Sequence, residues 1–310
     1  MAKSIHRVSV TLTDVTPLAS DIKLFRLADP DGWDLPAFDP GAHIDLHLPS
    51  GTTRQYSLCG DAADRSCYEI AVKHEDAGRG GSKEAHGLKP GAELLVSLPR
   101  NLLPLVSTQP VVIIAGGIGI TPFVPMLAQM SRTNQSYALH YASRHDDAPF
   151  AQALKSTHPD NVVIYPNDTE QRLDIALIIA ELPENAHLYC CGPNRMIDDV
   201  IAQTQHMKDR VHIEYFGGTI DPAQKSYDVH LARSGRTIGV QKGQTMLEAL
   251  RAADIEVPAS CEGGICMDCK TRFTAGEPEH RDIMMPKSER GQFLTPCVSG
   301  CLGKEITLDL

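Results

Sequence analysis

At 310 residues, 42% hydrophobic and 22% charged, the chain is long enough for two or three domains, each with its own core. A formal charge of −10 excludes the broad basic footprint of a nucleic-acid binder and suits small cofactors in local basic pockets, or a protein partner met by charge complementarity. No stretch reaches the ~20 apolar residues of a membrane span, and MAKSIHRVSVTLTD lacks a signal peptide's apolar core, so a cytoplasmic protein without membrane contact is expected.

Residues 1–105 read as short strands and turns, with little helical periodicity. HIDLHLPSG alternates, placing Ile44, Leu46 and Leu48 on one face and His43, Asp45 and His47 on the other. With YEIAVK and AELLVSLP this predicts a small antiparallel β-barrel. RQYSL, Arg54 to Leu58, sets a cation, a ring and a hydroxyl on one strand. GRGGSKEAH sets Gly80, Gly81 and Ser82 ahead of a helix, an anion-binding arrangement. Alone, each is also what an ordinary strand or loop contains.

Residues 106–222 open with VVIIAGGIGITPFVPMLAQM, a buried parallel strand entering a glycine turn and then a helix. Gly116, Gly117 and Gly119 would let backbone approach a pyrophosphate, and Pro122 suits the first helical turn. Pro122 stands where the dinucleotide fingerprint has its third glycine, so ordinary turn glycines are the rival reading. YALHYA, NVVIY, HLYCC and VHIEYF alternate with helices at DIALIIAEL and NRMIDDVIAQTQ, predicting an α/β doubly wound parallel sheet. Cys191-Gly192-Pro193 repeats the strand–turn–helix logic, and both turns would line one crevice at the strand ends. Ser143 and Arg144 suit a 2′-phosphate whereas Asp146 and Asp147 oppose one, which leans toward NADH.

GGTIDPAQKS reads as a linker into residues 223–310. There YDVHLARSGRTIGVQ gives two strands, and TMLEALRAAD gives a helix with Thr245 and Glu248 spaced for a capping box. KTRFTAG and ITLDL give further strands around the cysteine loop. A reducing compartment argues against disulfides among the nine cysteines, so the cluster reads as metal ligands. Cys261-x4-Cys266-x2-Cys269 with a distant fourth cysteine is the plant-type [2Fe–2S] spacing, whereas zinc ribbons present two short pairs. Gly263 and Gly264 would turn backbone N–H groups toward sulfur. Spacing alone leaves Cys297 and Cys301 both open as the fourth ligand.

Along essentially its whole length, through RQYSL, GRGGS, GGIGITP, YCCGP, EYFG, CEGGICMDC and PCVS, the chain resembles the phthalate dioxygenase reductase family. The resemblance implies a flavin β-barrel, an NAD domain and a C-terminal α+β β-grasp ferredoxin domain. It implies FMN held by Arg54, Gln55, Tyr56, Ser57 and Leu58, with its phosphate at Gly80, Gly81 and Ser82. Phe216 would stack near the ring, and Ser57, Cys191 and Phe216 would surround the reacting edge. NADH would lie over Gly116, Gly117, Gly119, Thr121, Pro122, Cys191 and Gly192. PCVS favours Cys297 as the fourth ligand after Cys261, Cys266 and Cys269, which leaves Cys301 structural. One departure is Met267-Asp268, where the family's pattern often has a glycine or another small residue.

The expected activity is an NADH-dependent reductase, a monomer that passes electrons through FMN and a [2Fe–2S] cluster to a separate Rieske-type oxygenase. That partner would dock transiently near Glu262, Gly263, Gly264 and Met267. The rivals are a flavin reductase with another acceptor and a redox-sensing [2Fe–2S] module.

Overall fold

The computed structural model describes residues 7–76, 78, 80–106, 108–143, 150–166, 172–216, 223, 225–259 and 261–310. The chain divides into two compact units, Met1–Glu214 and Tyr215–Leu310. Of the expected linker, 217–222 and 224 lie outside the described residues, as do Arg144, Asp146 and Asp147.

The first unit starts with strands β1 (Arg7–Ala19), β2 (Ile22–Ala28), β3 (Ala42–His47), β4 (Thr53–Ser57) and β5 (Cys67–Lys73). Helix α1 (Gly81–Gly87) and strands β6 (Glu93–Ser97) and β7 (Arg100–Asn101) follow. The antiparallel order is β4-β3-β6-β1-β2-β5, with β7 on β3. A bridge between Leu58 and Ile70 joins the end of β4 to β5 and closes the barrel. Ile44, Leu46, Phe25, Leu27 and Val96 fill it, as the alternation of β3 requires. The opposite face of β3 is buried as well: Arg100 Nη2 donates to Asp45 at 2.6 Å and covers the polar side.

The same unit continues with β8 (Val111–Gly116), α2 (Phe123–Thr133), β9 (Tyr137–Ser143), α3 (Ala151–Thr157) and β10 (Val162–Pro166). Then come α4 (Ile175–Ala180), β11 (His187–Cys191), α5 (Asn194–Gln203) and β12 (Val211–Glu214). All five strands are parallel, in the order β10-β9-β8-β11-β12. Strand order reverses at β8, so the switch point lies between β8 and β11, where this architecture binds ligands. Barrel and sheet share a small core in which Cys59 and Ala71 meet Ile118, Val124 and Phe150. Tyr189 pins the connection between them, accepting from Val106 N at 3.0 Å and donating to Pro104 O at 2.8 Å.

The second unit contains β13 (Tyr227–Leu231), β14 (Thr237–Val240), α6 (Met246–Ala252), β15 (Thr271–Glu279), β16 (Phe293–Leu294) and β17 (Gly300–Leu308). Its order is β14-β13-β17-β15-β16, with only β13 and β17 parallel. The apolar side of α6, formed by Met246, Leu247, Ala249 and Leu250, packs into its core, a β-grasp arrangement. The expected capping box is present, and β15 runs longer than KTRFTAG indicated. No helix among the described residues is long and apolar enough to cross a membrane.

The turns after β8 and β11 interlock, because a Cβ on Gly119 would come within 2.5 Å of Cys191 O. Gly119→Ala is therefore expected to destabilise the first unit by about 1–3 kcal/mol. Gly117→Ala, whose Cβ meets open space at φ +54, should cost only the backbone strain of about 1–2 kcal/mol, with no clash added. Chemical-denaturant midpoints of the two variants check this, and equal midpoints would refute close packing as the constraint.

Candidate functional site

At the switch point, β8 ends at Gly116, a 3₁₀ turn covers Gly117–Ile120, and α2 starts only at Phe123. Pro122 is thus the residue that caps α2, one place earlier than the sequence indicated. A Cβ on Gly116 would meet Pro193 Cδ at 2.6 Å, and one on Gly192 would meet Met196 Sδ at 2.9 Å. The packing of one turn on the other therefore by itself requires glycine at 116 and 119. Thr121 is buried and its hydroxyl donates to Ile118 O at 3.1 Å, closing the turn. Gly117 and Gly192 remain partly exposed along the rim of the crevice.

On the barrel side, β4 brings RQYSL beside α1: a Cβ on Gly81 would lie 2.6 Å from Arg54 Nε. Arg54, Gly80 (φ +80, with open space beside it) and Gly81 thus meet at one place, and Ser82 Oγ accepts from Glu75 N at 3.1 Å. Tyr56 packs against the barrel core, and burial pushes its hydroxyl up to about 12. Gln55 bonds His43 at 3.3 Å, while Leu58 is wholly in the core, leaving only its backbone for a ligand. Arg79 lies outside the described residues.

Ser57 is buried and hydrogen-bonds Glu214, the last residue of β12. Cys191 pairs in register with Glu214, so Ser57, Glu214 and Cys191 converge where the barrel meets the sheet. Burial drives Glu214 up to about 8 against the opposing pull of Ser57, and its Oε2 is buried without a hydrogen-bond partner. Burial first, and Glu214 second, hold the Cys191 thiol neutral. Glu214 is the functional residue that sequence reasoning missed. Its one local signal is an acidic residue ending the strand run VHIEYF. Phe216 is exposed at the start of the second unit.

In the second unit the four ligand candidates lie as two pairs. The Cys266 thiol bonds Cys261, and Cys269 Sγ donates to Cys297 Sγ at 3.3 Å. Among the described residues no three His, Cys, Asp or Glu side chains gather around a single ion. Two pairs of cysteine sulfurs are what a two-iron cluster needs. Cys261 Sγ accepts from Gly263 N at 3.3 Å, Cys266 N at 3.3 Å and Ile265 N at 3.5 Å. The Cys266 bond, then these N–H groups against the opposing burial, hold Cys261 down to about 6, while the same bond and burial push Cys266 up. Deprotonated sulfur under fanned N–H groups suits cluster ligation, so the residues fit a [2Fe–2S] group. Cys301 lies apart on β17, its thiol on Glu305 O at 3.3 Å. Glu262, Gly263 and Gly264 are buried, contrary to the expected docking surface. Met267 is half-buried and Asp268 exposed.

Comparison with known proteins agrees with this layout. Residues 113–201 match an oxidoreductase NAD-binding domain, and residues 229–301 match a 2Fe-2S iron-sulfur cluster binding domain. The chain is 41% identical to phenoxybenzoate dioxygenase subunit beta of Ectopseudomonas oleovorans, over 100% of this chain and 99% of that one. It is 38% identical to a heme-dependent oxidative N-demethylase beta subunit of Ectopseudomonas mendocina, over 96% of each. The solved structure of phthalate dioxygenase reductase, described as modular for electron transfer from pyridine nucleotides to [2Fe-2S], superimposes with a TM-score of 0.86. That match is 36% identical and covers 98% of both chains. At this identity and coverage, the chain belongs to the phthalate dioxygenase reductase family.

Proposed function

We propose that the chain is the reductase component of an oxygenase system, drawing on NADH, FMN and a [2Fe–2S] cluster to serve a separate Rieske-type oxygenase or O-demethylase acting on aromatic compounds. The observation that carries this reading is the pairing of four cysteine sulfurs on a chain that also holds the interlocked glycine turns. Bound FMN would supply the conversion between two-electron and one-electron chemistry, and a bound cluster the one-electron relay, neither of which a side chain can provide.

The residues bind, orient and seal. Arg54, Gly80, Gly81 and Ser82 meet where a phosphate would be held, Arg54 adding charge to the open backbone of Gly80. Tyr56 offers a ring fixed by its packing, and Gln55 is tied to His43, so β4 is rigid beneath a flat ligand. Gly117 and Gly192 supply the exposed backbone of the nucleotide crevice, which Gly116, Gly119, Thr121 and Pro122 shape from behind. Glu214 holds a proton at neutral pH and keeps Ser57 Oγ in place without burying a net charge. Cys191, neutral and wholly buried, shapes the wall and is not a nucleophile. Cys261, Cys266, Cys269 and Cys297 are the four ligands.

Cys266→Ala is expected to abolish the iron–sulfur absorption and electron delivery to an oxygenase, while NADH-dependent reduction of a dye by the flavin persists. Loss of both activities together would sink this division of labour. Reduction of a purified Rieske oxygenase against a haem oxygenase, followed by stopped-flow absorbance, tests the acceptor class.

Glu214 also predicts a pH dependence. Its folded pKa, about 8, lies above its ordinary 4.5, so the stability it contributes is complete below about 4.5 and is lost as pH rises through about 8. Wild type should therefore lose stability relative to Glu214→Gln across that window, as unfolding midpoints measured at stepped pH would report. A pH-independent difference would mean that Glu214 is not protonated in the fold.

A further inference from the structure

Helix α6 touches both segments that carry ligands. Its start is fixed by the capping box, Thr245 N to Glu248 Oε2 at 2.8 Å and Glu248 N to Thr245 Oγ1 at 3.1 Å. One of the otherwise unpaired N–H groups of its first turn, on Leu247, donates to Pro296 O at 2.9 Å, next to Cys297. One turn on, Arg251 Nη1 donates to Glu262 Oε1 at 2.6 Å, next to Cys261. A single helical turn therefore gauges the spacing between the Cys261 loop and the Cys297 turn.

The Glu262 end of this gauge is strained. Its backbone is left-handed at φ +47, which disfavours a residue with a Cβ by about 1–2 kcal/mol. Its side chain is only 6% exposed, so the Arg251 bond offsets part of the cost of taking a carboxylate out of water. The Arg251 side chain is 43% exposed, so filling the core is not its main task. Directly after this turn come the N–H groups of Gly263, Ile265 and Cys266 that converge on Cys261 Sγ.

We infer that Arg251 and Glu262 are positioning residues for the iron–sulfur site. Their ion pair holds the left-handed turn that fans backbone N–H groups at Cys261 Sγ. It thereby sets how firmly the cluster is retained and at what potential it accepts an electron. This inference rests on the [2Fe–2S] reading of the four cysteines.

The test separates the two. Iron and acid-labile sulfide are first assayed in the purified wild-type chain, and absence of either defeats the underlying reading. With that reading in place, Arg251→Met, Arg251→Lys, Glu262→Gln and Glu262→Gly are compared for three properties. These are the rate of cluster loss to a chelator, the midpoint potential, and the visible circular dichroism of the cluster. Arg251→Met and both Glu262 variants should lose the cluster roughly 10- to 100-fold faster and shift both potential and dichroism. Arg251→Lys should recover part of the loss. The double variant Arg251→Met with Glu262→Gln should be no worse than the poorer single one, because the two act as a unit. Variants that melt earlier but keep the wild-type potential and dichroism would overturn the inference, leaving a purely structural pair. Wild-type behaviour of Glu262→Gly would overturn it too, since backbone freedom rather than the ion pair would then set the turn. Arg251→Met and Arg251→Lys replace a side chain that is 43% exposed, so they decide the matter even if the Glu262 variants fail to fold.

Discussion

A buried carboxyl at the end of β12 determines how the barrel and the parallel sheet can meet. Glu214 cannot carry its charge there cheaply, so it stays protonated and takes Ser57, at the end of β4, as its neighbour. That contact joins the C-terminal end of one strand system to the other and brings Cys191 to the same place through its register with Glu214. The turns proposed to hold the nucleotide lie at the ends of β8 and β11, and the residues proposed to hold the flavin lie on β4. Two ligands held on those surfaces would therefore face a neutral, desolvated wall. A hydride moves best without nearby charge to trap it or water to divert it, which is the physical use of such a wall.

The second unit solves the opposite problem, placing negative sulfur in a half-buried loop. Here the stabilising charge comes from backbone N–H groups, three of which reach Cys261 Sγ. A loop can aim consecutive N–H groups at one atom only by leaving extended and helical geometry, which is why Glu262 and Met267 both have positive φ. Regular elements around the loop then have to supply its rigidity. Helix α6 does so from one side. From the other, Ile283 N donates to Gly264 O at 3.1 Å, while Arg290 reaches both the backbone and the side chain of Asp282.

Much of this was legible in the chain because it depends on local order. The alternation of HIDLHL, the apolar run VVII, the capping residues Thr245 and Glu248 and the cysteine spacing are each short-range patterns with one physical meaning. What escaped was the non-local part. Spacing could not choose between Cys297 and Cys301, because the choice depends on how β16 and β17 carry the chain past Cys269. The importance of Glu214 requires knowing that β12 ends opposite Ser57. Glycines carry a second meaning that sequence does not show: the missing side chains of Gly116 and Gly119 make room for the neighbouring turn. A motif records that a side chain is absent without saying what fills the space.

Met267 shows how the same reasoning changes the meaning of a sequence departure. In sequence it is a large residue where the family often has a small one, which bears on local packing as well as on the docking surface. Its φ of +59 shows that the position is first a backbone position, where a glycine is unstrained and any other residue costs about 1–2 kcal/mol. Met267 O accepts from Lys270 N at 3.0 Å, closing a turn around Cys269 that the chain keeps despite this cost. Glu262, the other strained residue of the loop, has an ion pair to hold it. At Met267 the strain is borne by the turn that the Lys270 bond closes, between Cys266 and Cys269. A methionine is held there by the hydrogen-bonded turn itself, so the strain at this position is local to four residues.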